Sequence, residues 1–286
     1  MNTRTKQPKR RTPKRVTRVI VGFAGTRRGD TLVEIAVTLA RAVNANLKGI
    51  YVREKVLRDL AELPFSVASA PGLRAMHPLS AEIIENAWNR EEAKYRRAIS
   101  RHAGVDEIEW SFETASGSME SCLREIVSSG DIVALTAETG GPAAQPFLEG
   151  VPELAGIARA ILLASPTQNQ LQKGSILVIE KGGTESEDLV ELAAQIATAM
   201  SRSLEVLSAS PSAEFEAKHQ STDTSSPRFH WLDEVKGAAL RQTVQKLAPS
   251  LIVTRLRSGS DKEDASIRSL IQKLKIPILL VDAPNQ

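Results

Sequence analysis

The sequence has few of the residues that form disulfide frameworks, metal clusters or aromatic cores. Its 286 residues include one cysteine, Cys122, which excludes a disulfide within the chain and a site made of several thiolates. Aromatic residues make up only 4% of the chain, whereas hydrophobic residues make up 42%. Aliphatic side chains must therefore form the core, which is typical of parallel sheets covered by helices. We expect an α/β fold in a reducing compartment, with Cys122 buried.

Long apolar runs are also missing. No stretch of about 18 apolar residues occurs, and charged residues occupy the N-terminus where a secretory signal would have its apolar stretch. We therefore expect a soluble cytoplasmic protein that has no membrane partner.

The basic residues are concentrated at the N-terminus. Met1–Arg18 contains eight of the 37 basic residues and no acid, so the remaining chain has 29 basic and 34 acidic residues and a formal charge of −5. With two prolines and little apolar surface, residues 1–17 are predicted to be a flexible basic tail. The tail either contacts nucleic-acid phosphates without sequence preference or serves only solubility. The side chains available for phosphate contacts are Lys9, Arg10, Arg11, Lys14 and Arg15.

The remaining chain contains an internal repeat. The run TRVIVGFAGT predicts a buried strand that ends in a Gly turn, and it is followed by a helix with one apolar face and by the strand LKGIYV. GSILVIEKGGT, a second amphipathic helix and SLEVLSAS repeat this order. Asp30 is placed to cap the first helix, and Thr184 with Glu187 has the spacing of a capping box at the second. An offset of 157 positions relates Gly25 to Gly182, Leu32 to Leu189, Ile35 to Leu192, Leu39 to Ile196 and Leu47 to Leu204.

The ends of the two halves also match. GDIVALTAE near Asp131 corresponds to PSLIVTRLR near Leu251 at an offset of 119, and ARAILLAS near Ile161 corresponds to KIPILLVDA near Ile278 at an offset of 117. Because these offsets are smaller than 157, the second half is shorter in its middle.

The difference in length predicts a missing helix. The first half has an amphipathic pattern from about Leu79 to His102, whereas the second half has the polar segment 211–227 in the same place. We predict a first domain over 18–166, a polar linker over 166–173 and a second domain over 174–286 that lacks one helix. Each domain runs strand, helix, strand, variable segment, short strand, helix, strand, loop, helix and strand, an order that requires a parallel sheet with right-handed crossovers.

This order of elements, with RVIVGFAGT and SILVIEKGG opening the halves and IPILLVD closing the chain, resembles the universal stress protein family. The resemblance covers residues 18–282. It implies two tandem doubly wound parallel-sheet domains, similar to adenine nucleotide alpha hydrolases, whose last strands pair within one chain. It leaves open further pairing into a homodimer. It also implies a regulatory role in stress. Independently of the resemblance, the long segments 53–78 and 211–227 are candidate contact loops for a protein partner that the sequence does not identify.

The nucleotide-binding residues of that family are largely missing. ATP-binding members have an Asp at the end of the first strand and a Gly-x-x-Gly, spacer, Gly-Ser/Thr pattern after the fourth. Ala24 and Lys181 occupy the Asp position here. The loop TAETGGPAAQPFLEG departs from the glycine pattern, since Gly150 is followed by Val151. We therefore predict that the first half does not bind ATP.

The second half keeps basic residues at the equivalent edge of its sheet, where the strand order reverses and ligands bind in doubly wound folds. Ser266 opens a predicted helix, whose exposed N–H groups favour anions. We hypothesise that a small anion, an acidic partner residue or residual ATP binds there, and the alternative is ordinary solvated surface charge. The candidate residues are Lys181, Gly182, Gly183, Arg255, Arg257 and Ser266.

Signatures of catalysis are missing. His77, His102, His219 and His230 lack metal-ligand spacing, and the chain has no GxSxG, P-loop or HExxH motif. We predict no catalytic residue, no metal and no cofactor other than ATP. The favoured interpretation is a non-catalytic regulatory or scaffolding protein, and the alternatives are a nucleic-acid-associated protein that uses its tail and a residual nucleotide binder. The three tryptophans are candidate surface anchors, although Trp88 and Trp110 fit core positions better than Trp231.

Overall fold

The first half is built from a strand, a helix and a strand, then an inserted segment, and then the remaining strands. In the computed structural model, the described residues are 16–24, 30–63, 67–68, 77–78, 80–105, 107–136, 154, 156–164, 173–180, 186–209, 227–232, 237–256 and 276–282. The first-half strands are β1 (Arg18–Ala24), β2 (Asn46–Arg53), β3 (Val67–Ala68), β4 (His77–Pro78), β5 (Trp110–Ser116), β6 (Asp131–Thr136) and β7 (Ala160–Ala164). Its described helices are α1 (Asp30–Ala42), α2 (Lys55–Ala61), α3 (Ala81–Val105) and α4 (Met119–Ile126).

The second half repeats this plan. Its strands are β8 (Ile176–Glu180), β9 (Leu204–Ser208), β10 (Arg228–Trp231), β11 (Leu251–Leu256) and β12 (Ile278–Asp282). Its described helices are α5 (Ser186–Ala199) and α6 (Gly237–Leu247). The predicted loss of one helix and the predicted linker fall mainly on residues 165–172 and 210–226, which lie outside the described residues.

Ten of the described strands form one sheet in the order β10-β9-β8-β11-β12-β7-β6-β1-β2-β5, and β3 pairs with β4 in a separate two-stranded sheet. Every described neighbouring pair in the large sheet is parallel except β12 with β7, which is antiparallel. The predicted doubly wound α/β fold is therefore confirmed. The antiparallel pair joins the two halves, and it is the pairing of last strands that the family resemblance implies.

Helices cover both faces of the sheet. Buried side chains of α1, α3 and α5 pack on one face, which we call the α1 face, and α1 also contacts α5. Buried side chains of α4 and α6 pack on the other face, which we call the α4 face. No helix among the described residues is long and apolar enough to span a bilayer. As predicted, Cys122 and Trp88 are buried.

The repeat in the sequence is also a repeat in space. Val19 pairs with Ile132 between β1 and β6, while Ile176 pairs with Leu251 between β8 and β11, so the ladders preserve the offsets of 157 and 119. All described members of the equivalent apolar pairs are buried, namely Leu32 with Leu189, Ile35 with Leu192, Leu39 with Ile196 and Leu47 with Leu204. The apolar periodicity of the sequence therefore predicted correctly that these side chains are buried.

Equivalent polar positions differ in chemistry between the halves. At the amino ends of β1 and β6, the Arg18 guanidinium donates to the buried Asp131 carboxylate, with Nη2 to Oδ2 at 2.7 Å. Burial alone disfavours the charged form of Asp131, but hydrogen bonds from Arg18 and Ser128 outweigh it and hold the pKa of this carboxyl below its ordinary value. The equivalent residues in the second half are Ser175 and Ser250, and the Ser250 hydroxyl donates to the Ser175 carbonyl at 3.1 Å.

Helix α3 approaches the first-half sheet closely on the α1 face. A Cβ on Gly49 would lie 2.4 Å from Cδ1 of Ile99 and 2.6 Å from Cδ2 of Phe112, so only glycine fits without movement. The equivalent residue in β9 is Val206, which has a full side chain and is buried. Helix α3 begins and ends two to three residues later than the sequence pattern predicts, a normal uncertainty for helix ends.

Candidate functional site

The predicted anion site lies at the carboxyl edge of the second-half sheet, where β8 and β11 end. Arg255 is the one candidate residue within the described part of the chain, and it lies near the end of β11. Lys181, Gly182, Gly183, Arg257 and Ser266 lie outside the described residues, as do the tail residues Lys9, Arg10, Arg11, Lys14 and Arg15. Their predicted contacts with anions or nucleic acid stay predictions.

The Arg255 side chain is engaged by an acidic residue of the same edge. Its Nη2 donates to Oδ1 of Asp188 in the first turn of α5, and its Nη1 donates to the backbone carbonyl of Asp282 at 3.2 Å. Only 10% of the Arg255 side chain is exposed, so this guanidinium lies mostly out of water.

A second arginine reaches the same carboxylate from the first half. Arg159 lies directly before β7, and its Nη2 donates to Oδ2 of Asp188 at 3.3 Å. The Arg159 side chain is 11% exposed, and its backbone carbonyl accepts from the Asp282 amide at 3.0 Å. We call Arg159, Asp188 and Arg255 the arginine clamp. Because Arg159 belongs to the first half and the other two belong to the second, the clamp links the halves beside the β7–β12 junction.

The sequence did not indicate the clamp. Asp188 follows the pattern of an ordinary acidic residue in a first helical turn, and Arg159 is a lone basic residue before a buried strand. The equivalent positions, Thr31, Thr136 and Ile276, carry no charge, so the repeat gives no second example. The sequence does contain one indication that Arg159 lies near the second half. Arg159 directly precedes the last strand of the first half, and the predicted pairing of last strands places that strand beside β12.

The equivalent edge of the first half is formed by the ends of β1 and β6. The last residues of these strands are Ala24 and Thr136, and both are partly buried. Neither side chain carries a charge. Among the described residues, no group of three or more His, Cys, Asp or Glu side chains is arranged to hold a metal ion.

Two solved structures that resemble this chain over most of its length are universal stress proteins. A universal stress protein from Archaeoglobus fulgidus DSM 4304 superimposes with a TM-score of 0.62 at 9% identity, covering 94% of this chain and 97% of that chain. A putative universal stress protein from Pseudomonas aeruginosa UCBPP-PA14 superimposes with a TM-score of 0.58 at 13% identity, covering 94% of both chains. The resemblance predicted from the sequence is thus confirmed at the level of the fold.

A third similar structure comes from another kind of protein. The cytoplasmic domain of a prokaryotic cation chloride cotransporter superimposes with a TM-score of 0.54 at 12% identity, covering 95% of this chain and 97% of that chain. No protein-family model and no curated protein sequence matches the chain. These likenesses establish the fold, and the function has to be argued from the site.

Proposed function

We propose that this protein is a non-catalytic regulatory or scaffolding protein of universal stress protein-like fold, in which the nucleotide site has been lost. The arginine clamp is the observation that carries this proposal. At the carboxyl edge of the second-half sheet, Asp188 already binds the Arg255 guanidinium and ties it to Arg159 of the other half. A phosphate would have to displace this carboxylate from a mostly buried guanidinium, which costs binding free energy.

The first half supports the same proposal. Ala24 ends β1 in place of the carboxylate that ATP-binding members of the family have there, and Thr136 ends β6. A neutral methyl group cannot accept hydrogen bonds from a nucleoside, so this edge lacks the polar anchor that orients a ligand in such pockets.

The similar structures fit a role other than catalysis. One of them is the cytoplasmic domain of a cotransporter, so the fold also occurs as a domain of a transport protein. By this analogy, the paired halves of the present chain would offer surfaces to a protein partner.

Thermal unfolding with and without millimolar ATP and magnesium tests the proposal. A ligand that binds only the folded state raises the unfolding midpoint. At a free concentration one hundred times its Kd, such a ligand adds about 2.7 kcal/mol to the free energy of unfolding. We expect no shift for the wild-type chain. A shift that is lost in Arg255→Met but kept in the surface control Arg124→Met would mean that the second half binds nucleotide, and the proposal would be wrong.

We also infer, as a second candidate, that the basic tail binds nucleic acid without sequence preference. The charge distribution favours it, since the tail is strongly basic while the remaining chain has a formal charge of −5. Binding of a fluorescent oligonucleotide should weaken steeply between about 50 and 200 mM salt, because each phosphate contact releases counterions. Deletion of residues 1–15 should abolish it. Unchanged affinity after the deletion would exclude the tail as the binding element.

A further inference from the structure

Helix α2 carries an exposed apolar surface. Val56, Leu57, Leu60 and Leu63 are between 37% and 67% exposed, and the Leu63 amide donates to the Leu60 carbonyl in the turn that follows the helix. Positions 56, 60 and 63 have the i, i+4, i+7 spacing of one helix face, and Leu57 lies beside it. We call these four residues the α2 patch. They are four of the seven large hydrophobic residues that are exposed in the described part of the chain, so apolar exposure is concentrated here.

Helix α2 is held to its own half by residues outside the α2 patch. Arg58 Nη1 lies 3.6 Å from Oε1 of Glu85 in α3, and the partly buried Ala61 packs against the core on the α1 face. No side chain of α2 is fully buried. An amphipathic helix on a globular protein normally turns its apolar face to the core. Helix α2 instead leaves that face to solvent.

A helix as short as α2 depends on packing for its stability. It has seven residues, and its N-cap Glu54 forms no side-chain capping hydrogen bond. Isolated helices shorter than about 12–15 residues are marginal in water, and most helices in proteins are stabilised by packing of their apolar face. The apolar face of α2 is the α2 patch, and contiguous exposed patches of this kind mark sites of protein interaction.

The charges along one edge of the α2 patch fit a second copy of the same chain. Lys55, Asp59 and Glu62 have the i, i+4, i+7 spacing of one helix row, with the base at the amino end and the acids at the carboxyl end. In a symmetric dimer the same surface lies on both partners. Two antiparallel α2 helices would therefore bring this row against itself, with Lys55 of each copy facing Glu62 of the other. Lys55 and Asp59 form no ion pair with any residue that the structure describes, so both are available for such contacts.

The size of the α2 patch indicates how strong this contact is. Stable protein interfaces bury about 800 Å² on each partner. Four partly exposed aliphatic side chains offer less area than that. We therefore expect an equilibrium between monomer and dimer that depends on concentration, and not an obligate dimer.

We propose that the α2 patch is the interface of a weak symmetric homodimer, in which two α2 helices pack antiparallel and Lys55 of each copy pairs with Glu62 of the other. The β7–β12 junction joins the halves within one chain, and this contact joins whole chains through their first halves. The inference deepens the proposed function, because it gives the scaffolding role a partner, and it rests on the proposed function for that role alone.

Sedimentation velocity of the full chain without nucleotide tests the proposal. Because association follows mass action, the mean mass should rise from monomer towards dimer between about 10 and 500 μM. Leu60→Asp places a charge within the patch and should weaken the dimer at least tenfold. Since Leu60 is exposed in the monomer, the variant should keep the unfolding midpoint of the dilute wild-type chain. Val105→Asp is the matched control, because Val105 is exposed at the end of α3 and outside the patch, and it should dimerise normally.

A charge reversal tests the antiparallel arrangement. Lys55→Glu should weaken the dimer about fivefold or more, since it replaces two symmetric attractions by repulsions. Adding Glu62→Lys to this variant should restore dimerisation, because each new glutamate then faces a new lysine. A variant that merely folds poorly would not be rescued in this way.

Two results would overturn the inference. A chain that stays monomeric at about 500 μM would assign the α2 patch to a different protein partner. A dimer that Leu60→Asp and Lys55→Glu leave unchanged would mean that the copies meet elsewhere. Neither result affects the proposed loss of the nucleotide site, since the unfolding midpoint with ATP and magnesium tests that loss separately.

Discussion

Leu162 and Leu279 are register partners across the junction of the two halves, and they are also equivalent residues of the repeat. They face each other in the antiparallel β7–β12 ladder, and the same offset of 117 that relates Ile161 to Ile278 relates them. The pseudo-two-fold axis of the chain therefore passes between these two side chains. Both are fully buried on the α1 face, where α1 and α5 also contact each other.

Leu279→Ala should destabilise the whole chain, since the junction belongs to the core of both halves. We expect a loss of about 2–5 kcal/mol in the free energy of unfolding, the range for truncating a buried leucine. Leu60→Ala on the exposed part of α2 is the control and should change it by less than about 1 kcal/mol. Urea unfolding followed by circular dichroism measures both. Equal losses for the two variants would mean that Leu279 at the junction contributes no more to the free energy of unfolding than an exposed leucine does.

Asp131→Asn should lower the free energy of unfolding at neutral pH. It should also make this free energy depend less on pH in the acidic range. The Asp131 pKa is lowered in the folded state, so its stabilising contribution is present above its ordinary value of 3.8 and is lost as the pH falls below it. Because the Arg18 partner is one-third exposed, we expect a loss of about 2–4 kcal/mol at pH 7, slightly less than for a fully buried pair. Unfolding free energies measured from pH 7 to pH 3 check this, and a variant with the wild-type acid profile would contradict it.

Asp188→Ala should destabilise the protein because it leaves two mostly buried arginines, Arg159 and Arg255, without their shared carboxylate. We expect a loss of about 3 kcal/mol or more in thermal or urea unfolding. Glu120→Ala is the matched control, since Glu120 pairs with Arg124 on the exposed surface of α4 and should cost less than about 1 kcal/mol. The same small cost for both variants would show that the clamp is not a structural link between the halves.

Gly49→Ala should be destabilising although alanine is otherwise well tolerated. Its Cβ would overlap Ile99 and Phe112, so the contact between α3 and β2 must open, at a cost of about 1–3 kcal/mol. Gly104 is the control, because a Cβ there meets nothing within 4 Å and alanine should stabilise α3 by up to about 1 kcal/mol. Thermal unfolding of both variants tests this, and a stabilised Gly49→Ala would exclude the close approach of α3.

The apolar framework could be predicted because burial leaves a local pattern. The runs around Val19 and Ile176 were recognised as buried strands, and the offset between them already identified the repeat. The candidate site could be predicted only in part. Arg255 was expected at the sheet edge, where it lies. Its partner Asp188, and Arg159, which binds the same carboxylate, were not expected, since they are 67 and 96 positions away from Arg255 in the chain.

The burial of Glu180 also could not be predicted from the sequence. In the run SILVIEKGG it reads as a polar residue at the end of a strand, and its burial depends on what packs over the α1 face. The pattern of the chain was enough to determine the parallel strands, the apolar helix faces and the two-fold repeat, because these follow from the spacing of apolar residues along each element. Which charges pair, and which of the polar side chains in the described part of the chain become buried, was settled only when distant strands came side by side, because electrostatic contacts depend on distances in space rather than on positions in the sequence.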